Sequence, residues 1–311
     1  MRTLTKMQNP KLLIFLVSVL VGLNACDHMS DEDIHQFVTA ETKASRKATR
    51  NTQSALPIYD DLEGLPQDLG LGKGGKIDTV YKNQVDGISY GYMMYKPTGY
   101  DSNTNDYPVW IHLHGKGKKG NSAKRPSDLL KVQHLGPANL IKKKNWNPRY
   151  PVLVATPQTS GGWREGALRK FIKHLIEVYR INPKRIYISG NSLGAGGAWS
   201  FVSKYGDNSL CAAIVPICGN GKFEATNFRN MPVWAFHGED DPTISVQHSI
   251  DHVNDIKALG DVTYEPKLTI YPNVKHDSWT RTFDETGMGQ ESSLYDPYDM
   301  NLLEWFLQYQ K

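Results

Sequence analysis

The sequence predicts an α/β fold, a mostly parallel central sheet with helices on both faces. Three observations carry that reading. Short runs such as Val109-Trp110-Ile111, Val152-Leu153-Val154-Ala155 and Ile186-Tyr187-Ile188 are apolar throughout, as strands covered on both sides must be. Stretches of helical length separate them. One of these strands runs straight into Gly190-Asn191-Ser192-Leu193-Gly194 and then a small-residue helix start, Ala195-Gly196-Gly197-Ala198. Roughly 235 residues organised this way, 76–311, make one domain.

The elements follow in order. Ile88-Ser89-Tyr90-Gly91-Tyr92-Met93-Met94-Tyr95 alternates enough to be a half-exposed edge strand. The strands Val109 to Leu113 and Val152 to Thr156 come next, then a helix over 167–179 and the Ile186 strand with its following helix. Cys211-Ala212-Ala213-Ile214-Val215 and Pro232-Val233-Trp234-Ala235-Phe236 read as buried strands. A helix over 244–259, the strand Leu268-Thr269-Ile270-Tyr271 and a terminal helix over 300–310 close the series. No internal repeat is visible.

Chemistry concentrates at the strand ends. A serine hydroxyl is a weak nucleophile until a base takes its proton, so Ser192 must be held where a distant histidine reaches it. A sharp strand-to-helix turn does this, and its flanking glycines leave room for the neighbouring strand and helix. Downstream, His237-Gly238-Glu239-Asp240-Asp241 offers a carboxylate at a strand's end, and His276 lies on the loop after the Leu268 strand. Upstream, His112-Leu113-His114-Gly115 closes a strand so that the N–H of Lys116 can turn toward an oxyanion. With the N–H of Leu193 it forms a two-donor hole.

Residues 76–311 resemble the α/β-hydrolase superfamily, in particular its secreted branch of carbohydrate esterases, feruloyl-esterase-like enzymes and predicted peptidases. The likeness rests on Leu113-His114-Gly115, on Ile181-Asn182-Pro183-Lys184-Arg185-Ile186-Tyr187 leading to the turn, on Phe236-His237-Gly238 with Asp241, and on His276 with Ser278-Trp279. The resemblance implies Ser192 as nucleophile, Asp241 as acid and His276 as base, with neither cofactor nor metal. Asp240 is the alternative acid, and the family's His-Gly-x-x-Asp spacing favours Asp241. The implied activity is a serine carboxylic-ester hydrolase removing acetyl or feruloyl groups from a polysaccharide or related ester. A serine peptidase of the prolyl-oligopeptidase kind shares the fold, but the chain has no room for the propeller of those enzymes. A catalytically silent binding protein on a hydrolase scaffold is the third reading.

Other residues have plainer roles. His114 and His237 precede glycines at strand ends, where a structural hydrogen bond is the expected use. His248 and His252 share one helix face without a third ligand, so a solvated face outweighs a metal site. Trp163 and Trp279 supply aromatic surfaces suited to a sugar or phenolic acyl group, although tryptophan also fills cores. The basic segment around Lys116, Lys118, Lys119, Lys124 and Arg125 reads as a solvated loop near the site's mouth, with attraction of an anionic polymer as the sharper alternative.

The first 25 residues contain Arg2, Lys6 and Lys11 and then the apolar run Leu12 to Leu23, too short to span a bilayer but suited to an export signal. It ends in Leu23-Asn24-Ala25-Cys26, which resembles a bacterial lipobox and implies an acylated Cys26 anchoring the chain to a membrane. The acidic Ser30-Asp31-Glu32-Asp33 resembles export signals of bacterial surface lipoproteins. Residues 26–75, with few apolar side chains, are expected to form a polar tether. The net charge of +4 falls to about +1 without the three basic leader residues, so nucleic-acid binding has no electrostatic basis. Cys211 and Cys218, seven residues apart on one extended segment, are too distant to bridge and are expected as buried free thiols.

Overall fold

The computed structural model describes residues 60–311. The leader over 1–25, Cys26 and most of the expected tether lie outside them. Eight strands form one sheet in the order β1-β2-β4-β3-β5-β6-β7-β8. They are β1 (Lys76–Val80), β2 (Gly91–Lys96), β3 (Tyr107–Leu113), β4 (Leu153–Gln158), β5 (Ile181–Asn191), β6 (Ala213–Ile217), β7 (Trp234–Gly238) and β8 (Lys267–Tyr271). β2 runs antiparallel to both β1 and β4; every other pairing is parallel.

Alternation along each strand assigns residues to two apolar layers. Val109, Ile111 and Leu113 of β3, with Ile186 and Ile188 of β5, point into one layer, while Trp110 and Tyr187 point into the other. The first layer is covered by α2 (Glu165–Val178), α3 (Leu193–Tyr205) and α4 (Gln247–Lys257); the second by α1 (Gly136–Lys142), α5 (Trp279–Phe283) and α6 (Leu302–Leu307). In α2 the buried positions Leu168, Phe171, Ile172 and Leu175 recur at helical spacing and make one stripe against the sheet. α6 begins where the Asn301 side chain accepts from the Glu304 N–H. Among the described residues no helix is long and apolar enough to cross a membrane.

Two expectations change. The run expected as a half-exposed edge is the buried second strand, Tyr92 to Tyr95 lying out of solvent, and the edge is β1, whose sequence Lys-Ile-Asp-Thr-Val is too polar to stand out. The expected tether over 26–75 also overreaches, because residues 60–75 pack on the body. Asp61 pairs with both Arg185 Nε and Arg185 Nη2. Asp68, 2% exposed, accepts from the Tyr95 hydroxyl at 2.8 Å, Trp146 Nε1 at 3.0 Å and the Thr98 N–H at 3.1 Å. Those partners come from strands and loops far along the chain, which is why local composition conceals the packing.

Candidate active site

β5 ends in the Ser192 turn. Ser192 adopts φ 54° and ψ −117°, a conformation costly for any residue with a Cβ. Its N–H is fixed by Ile217 O at 2.9 Å, at the end of β6, and its carbonyl accepts from Gly196 at 3.0 Å. The turn closes so tightly that a Cβ on Gly190 would meet the Gly194 backbone, and one on Gly194 would run into Leu113 O of β3. The half-exposed serine hydroxyl is thereby raised at the carboxyl edge of the sheet.

The structure brings Ser192, His276 and Asp241 together. His276 Nε2 lies 2.9 Å from Ser192 Oγ, and His276 Nδ1 lies 2.6 Å from Asp241 Oδ2. An ionised carboxylate only accepts, so Nδ1 carries the proton and Nε2 is left to accept from the serine hydroxyl. Asp241 Oδ1 accepts from the N–H groups of Thr243 at 2.8 Å and Ile244 at 3.1 Å. Burial alone would push this carboxyl up, but the hydrogen bonds from His276, Ile244 and Thr243 outweigh it and hold the pKa below the ordinary value. Asp240 is exposed beside it.

His237 also fixes the Asp241 carboxylate. Its Nδ1 lies 2.7 Å from Ser249 Oγ, and its Nε2 lies 3.2 Å from Asp241 Oδ2 and 2.9 Å from Ile244 O. Two acceptors on one side place the proton on Nε2, so a neutral His237 braces the carboxylate; burial lowers its pKa. Gly238 is needed because a Cβ there would strike Val274 O and Lys275 O of the loop that carries His276.

Backbone N–H groups border Ser192. Lys116 starts a short helical turn, Lys116–Lys118, and Leu193 starts α3, so neither N–H has an acceptor within its own helix. The Thr159 N–H donates to His114 Nε2 at 3.1 Å, which places the His114 proton on Nδ1, 2.7 Å from Gly115 O. Carbonyl and N–H of one trans peptide point in opposite directions, so His114, by holding Gly115 O, turns the Lys116 N–H the other way. That peptide abuts the serine: a Cβ on Gly115 would lie 3.4 Å from Ser192 Cβ. Burial pushes His114 down to about 4, keeping it neutral.

The aromatic residues divide. Trp279 is half-buried, with its ring perpendicular to that of His276 at 5.3 Å. Trp163 does not present a face to substrate. It is 8% exposed, donates from Nε1 to His114 O at 3.1 Å and packs edge-on against His114 and Tyr90. His252 stacks on Trp199 in the core rather than standing on a solvated face. Arg125 and Lys131 are taken up by Asp128. Cys211 and Cys218 are both buried and free. The sequence reading missed that Cys218 lies beneath the triad, and also missed the buried chain from Trp110 Nε1 through Ser189 Oγ to His112 Nδ1, at 2.7 and 2.9 Å. Both depend on which strands are neighbours. A cleft of about 900 Å³ lined by Trp146, Phe283 and Leu302 shares no residue with the triad, so chemistry rather than volume locates this site.

No family model and no curated protein matches the chain. Among solved structures it is similar to a thermostable esterase, at 25% identity and TM-score 0.58 over 76% of this chain, and spans 64% of that protein's length. It also overlaps a feruloyl esterase module from Clostridium thermocellum, solved with sinapinate, at 17% identity and TM-score 0.48, covering 70% of this chain and 87% of that one. Est1E from Butyrivibrio proteoclasticus overlaps at 14% identity and TM-score 0.45, over 68% of this chain and 95% of that one. The strand order with its antiparallel second strand, and the likeness to the thermostable esterase, establish the fold of residues 60–311 as that of the α/β-hydrolases.

Proposed function

We propose that this chain is a serine carboxylic-ester hydrolase. The observation that carries the reading is the continuous hydrogen-bonded line from Ser192 Oγ through His276 to Asp241, set beside two free helix-start N–H groups. The likeness to a thermostable esterase agrees with it. In this reaction His276 Nε2 takes the Ser192 proton as Oγ attacks the ester carbonyl. The N–H groups of Lys116 and Leu193 receive the oxyanion, where loss of one such donor typically costs ~10²–10³ in rate. His276 then protonates the departing alkoxide, and water, activated by the same imidazole, releases the acyl group. Asp241, braced by His237, keeps His276 in the required tautomer. No cofactor or metal enters these steps.

Trp279 beside His276 offers an aromatic wall suited to a feruloyl or sugar-borne acyl ester, and a polysaccharide ester is the substrate class we favour. Acylation at Cys26 would place the enzyme on a bacterial membrane, at the outer surface if the acidic segment after it acts as an export signal; both lie outside the described residues. Short p-nitrophenyl esters, peptide nitroanilides and a fluorophosphonate probe test the reading. Ester hydrolysis and labelling, both lost in Ser192→Ala, are expected. A folded protein that does not label overturns the hydrolase, and nitroanilide cleavage as fast as ester cleavage makes it a peptidase.

A further inference from the structure

Cys218 takes no part in acyl transfer, yet it is held among the groups that do. It follows β6 with φ +45°, and its N–H is fixed by Phe236 O at 2.8 Å. Its thiol is fully buried. Cys218 Sγ, a carboxylate oxygen of Asp241 and a ring nitrogen of His276 all lie within 4.8 Å of one another, and among the described residues no other three such side chains do. Ser278 Oγ, wholly buried, faces the thiol. Thiolate, imidazole and carboxylate are a donor set for zinc and its softer congener cadmium.

We propose that Cys218, Asp241 and His276 form a binding site for a soft divalent cation, built into the triad and inhibitory when filled. The ion replaces the thiol proton, which leaves to solvent, and displaces the His276 proton from Nδ1 to Nε2. Ligands of a tetrahedral ion with ~2.0 Å arms stand roughly 3.3 Å apart. Cys218 Sγ lies within 4.8 Å of both other ligand atoms and moves in to close the third arm; His276 Nδ1 and Asp241 Oδ2 are 2.6 Å apart, so the imidazole moves outward by less than an ångström. It is free to do so: its side chain is 21% exposed on a loop, whereas that of Asp241 is fully buried. A neutral imidazole has one proton. With Nδ1 on the ion that proton sits on Nε2, which then cannot accept from Ser192 Oγ. The inhibition rests on the hydrolase reading; the binding does not.

Cadmium titration of the full-length, untagged, reduced chain tests the site through the ultraviolet thiolate-to-cadmium charge-transfer band. One equivalent is expected to raise the band in the wild type, in Cys26→Ser, in Cys211→Ala and in Ser192→Ala. Cys218→Ala should lose it, and His276→Ala should weaken binding at least tenfold. Zinc should inhibit ester hydrolysis, reversibly on chelation, and Cys218→Ala should need at least tenfold more zinc to lose half of its own uninhibited rate. A wild type without the band, or a band or zinc sensitivity that survives in Cys218→Ala, overturns the site. Should Cys218→Ala misfold, undiminished cadmium binding in His276→Ala overturns it equally. Should the protein hydrolyse no ester, the titration still decides.

Discussion

Ser192, His276 and Asp241 stand 84 and 35 residues apart along the chain and within hydrogen-bond distance in space. Ser192→Ala should lower kcat by ~10⁴ or more with the fold kept, because such residues act as a unit; circular dichroism alongside p-nitrophenyl acetate kinetics checks both halves. Asp241→Asn should be similarly severe, since an amide gives His276 the wrong tautomer, whereas the exposed Asp240→Asn should leave kcat within a few-fold. The reverse ranking would move the acid by one position. The positions of these three side chains were legible because each follows a strand, and strand ends are readable from apolar runs. Trp163 was not. Its indole is committed to His114 O, a partner fixed only when β3 and β4 lie side by side, and nothing around Gly161-Gly162-Trp163 signals that.

Between elements the decisive contacts are made by absent side chains. Gly238 lets the end of β7 pass against the loop carrying His276, and a Cβ there meets Val274 O and Lys275 O. Gly238→Ala is therefore expected to keep secondary structure while shifting His276, with ~10²-fold lower kcat for a displacement near 1 Å; unchanged kcat would show that the loop yields freely. Leu175→Ala in the buried stripe of α2 should cost ~2–5 kcal/mol in denaturant unfolding without touching the site. The apolar strands β3 to β8 could be read directly because parallel strands bury both faces. β1 escaped notice: an edge strand keeps its charges, so its sequence looks like loop.

At the scale of the whole molecule, buried neutral histidines govern behaviour in acid. Burial pushes His112 down to about 3 and His114 to about 4, against ~6.5 for an exposed histidine. Below ~6.5 the unfolded chain takes up protons that the folded chain refuses, so stability that is complete above that pH drains away as pH falls toward 4 and 3. Tm should thus decline steadily from pH 6.5 to 4; a flat Tm over that range would mean these rings are protonated in the native state. Starting the chain at residue 76 removes Asp61 from the buried Arg185. We expect ~1–3 kcal/mol from that pair alone, less than for a fully buried one because Asp61 is 37% exposed, and Tm should drop relative to the full chain. The same pair has a further consequence. Asp61 grips β5 at Arg185, near the middle of the strand, where Leu307 O of α6 also binds, while Ser192 stands just past its carboxyl end. Seven residues at ~3.3 Å put roughly 23 Å of sheet between them. Loosening that grip should therefore erode stability well before it disturbs the hydroxyl at position 192, since any slack must travel the rest of the strand to reach it.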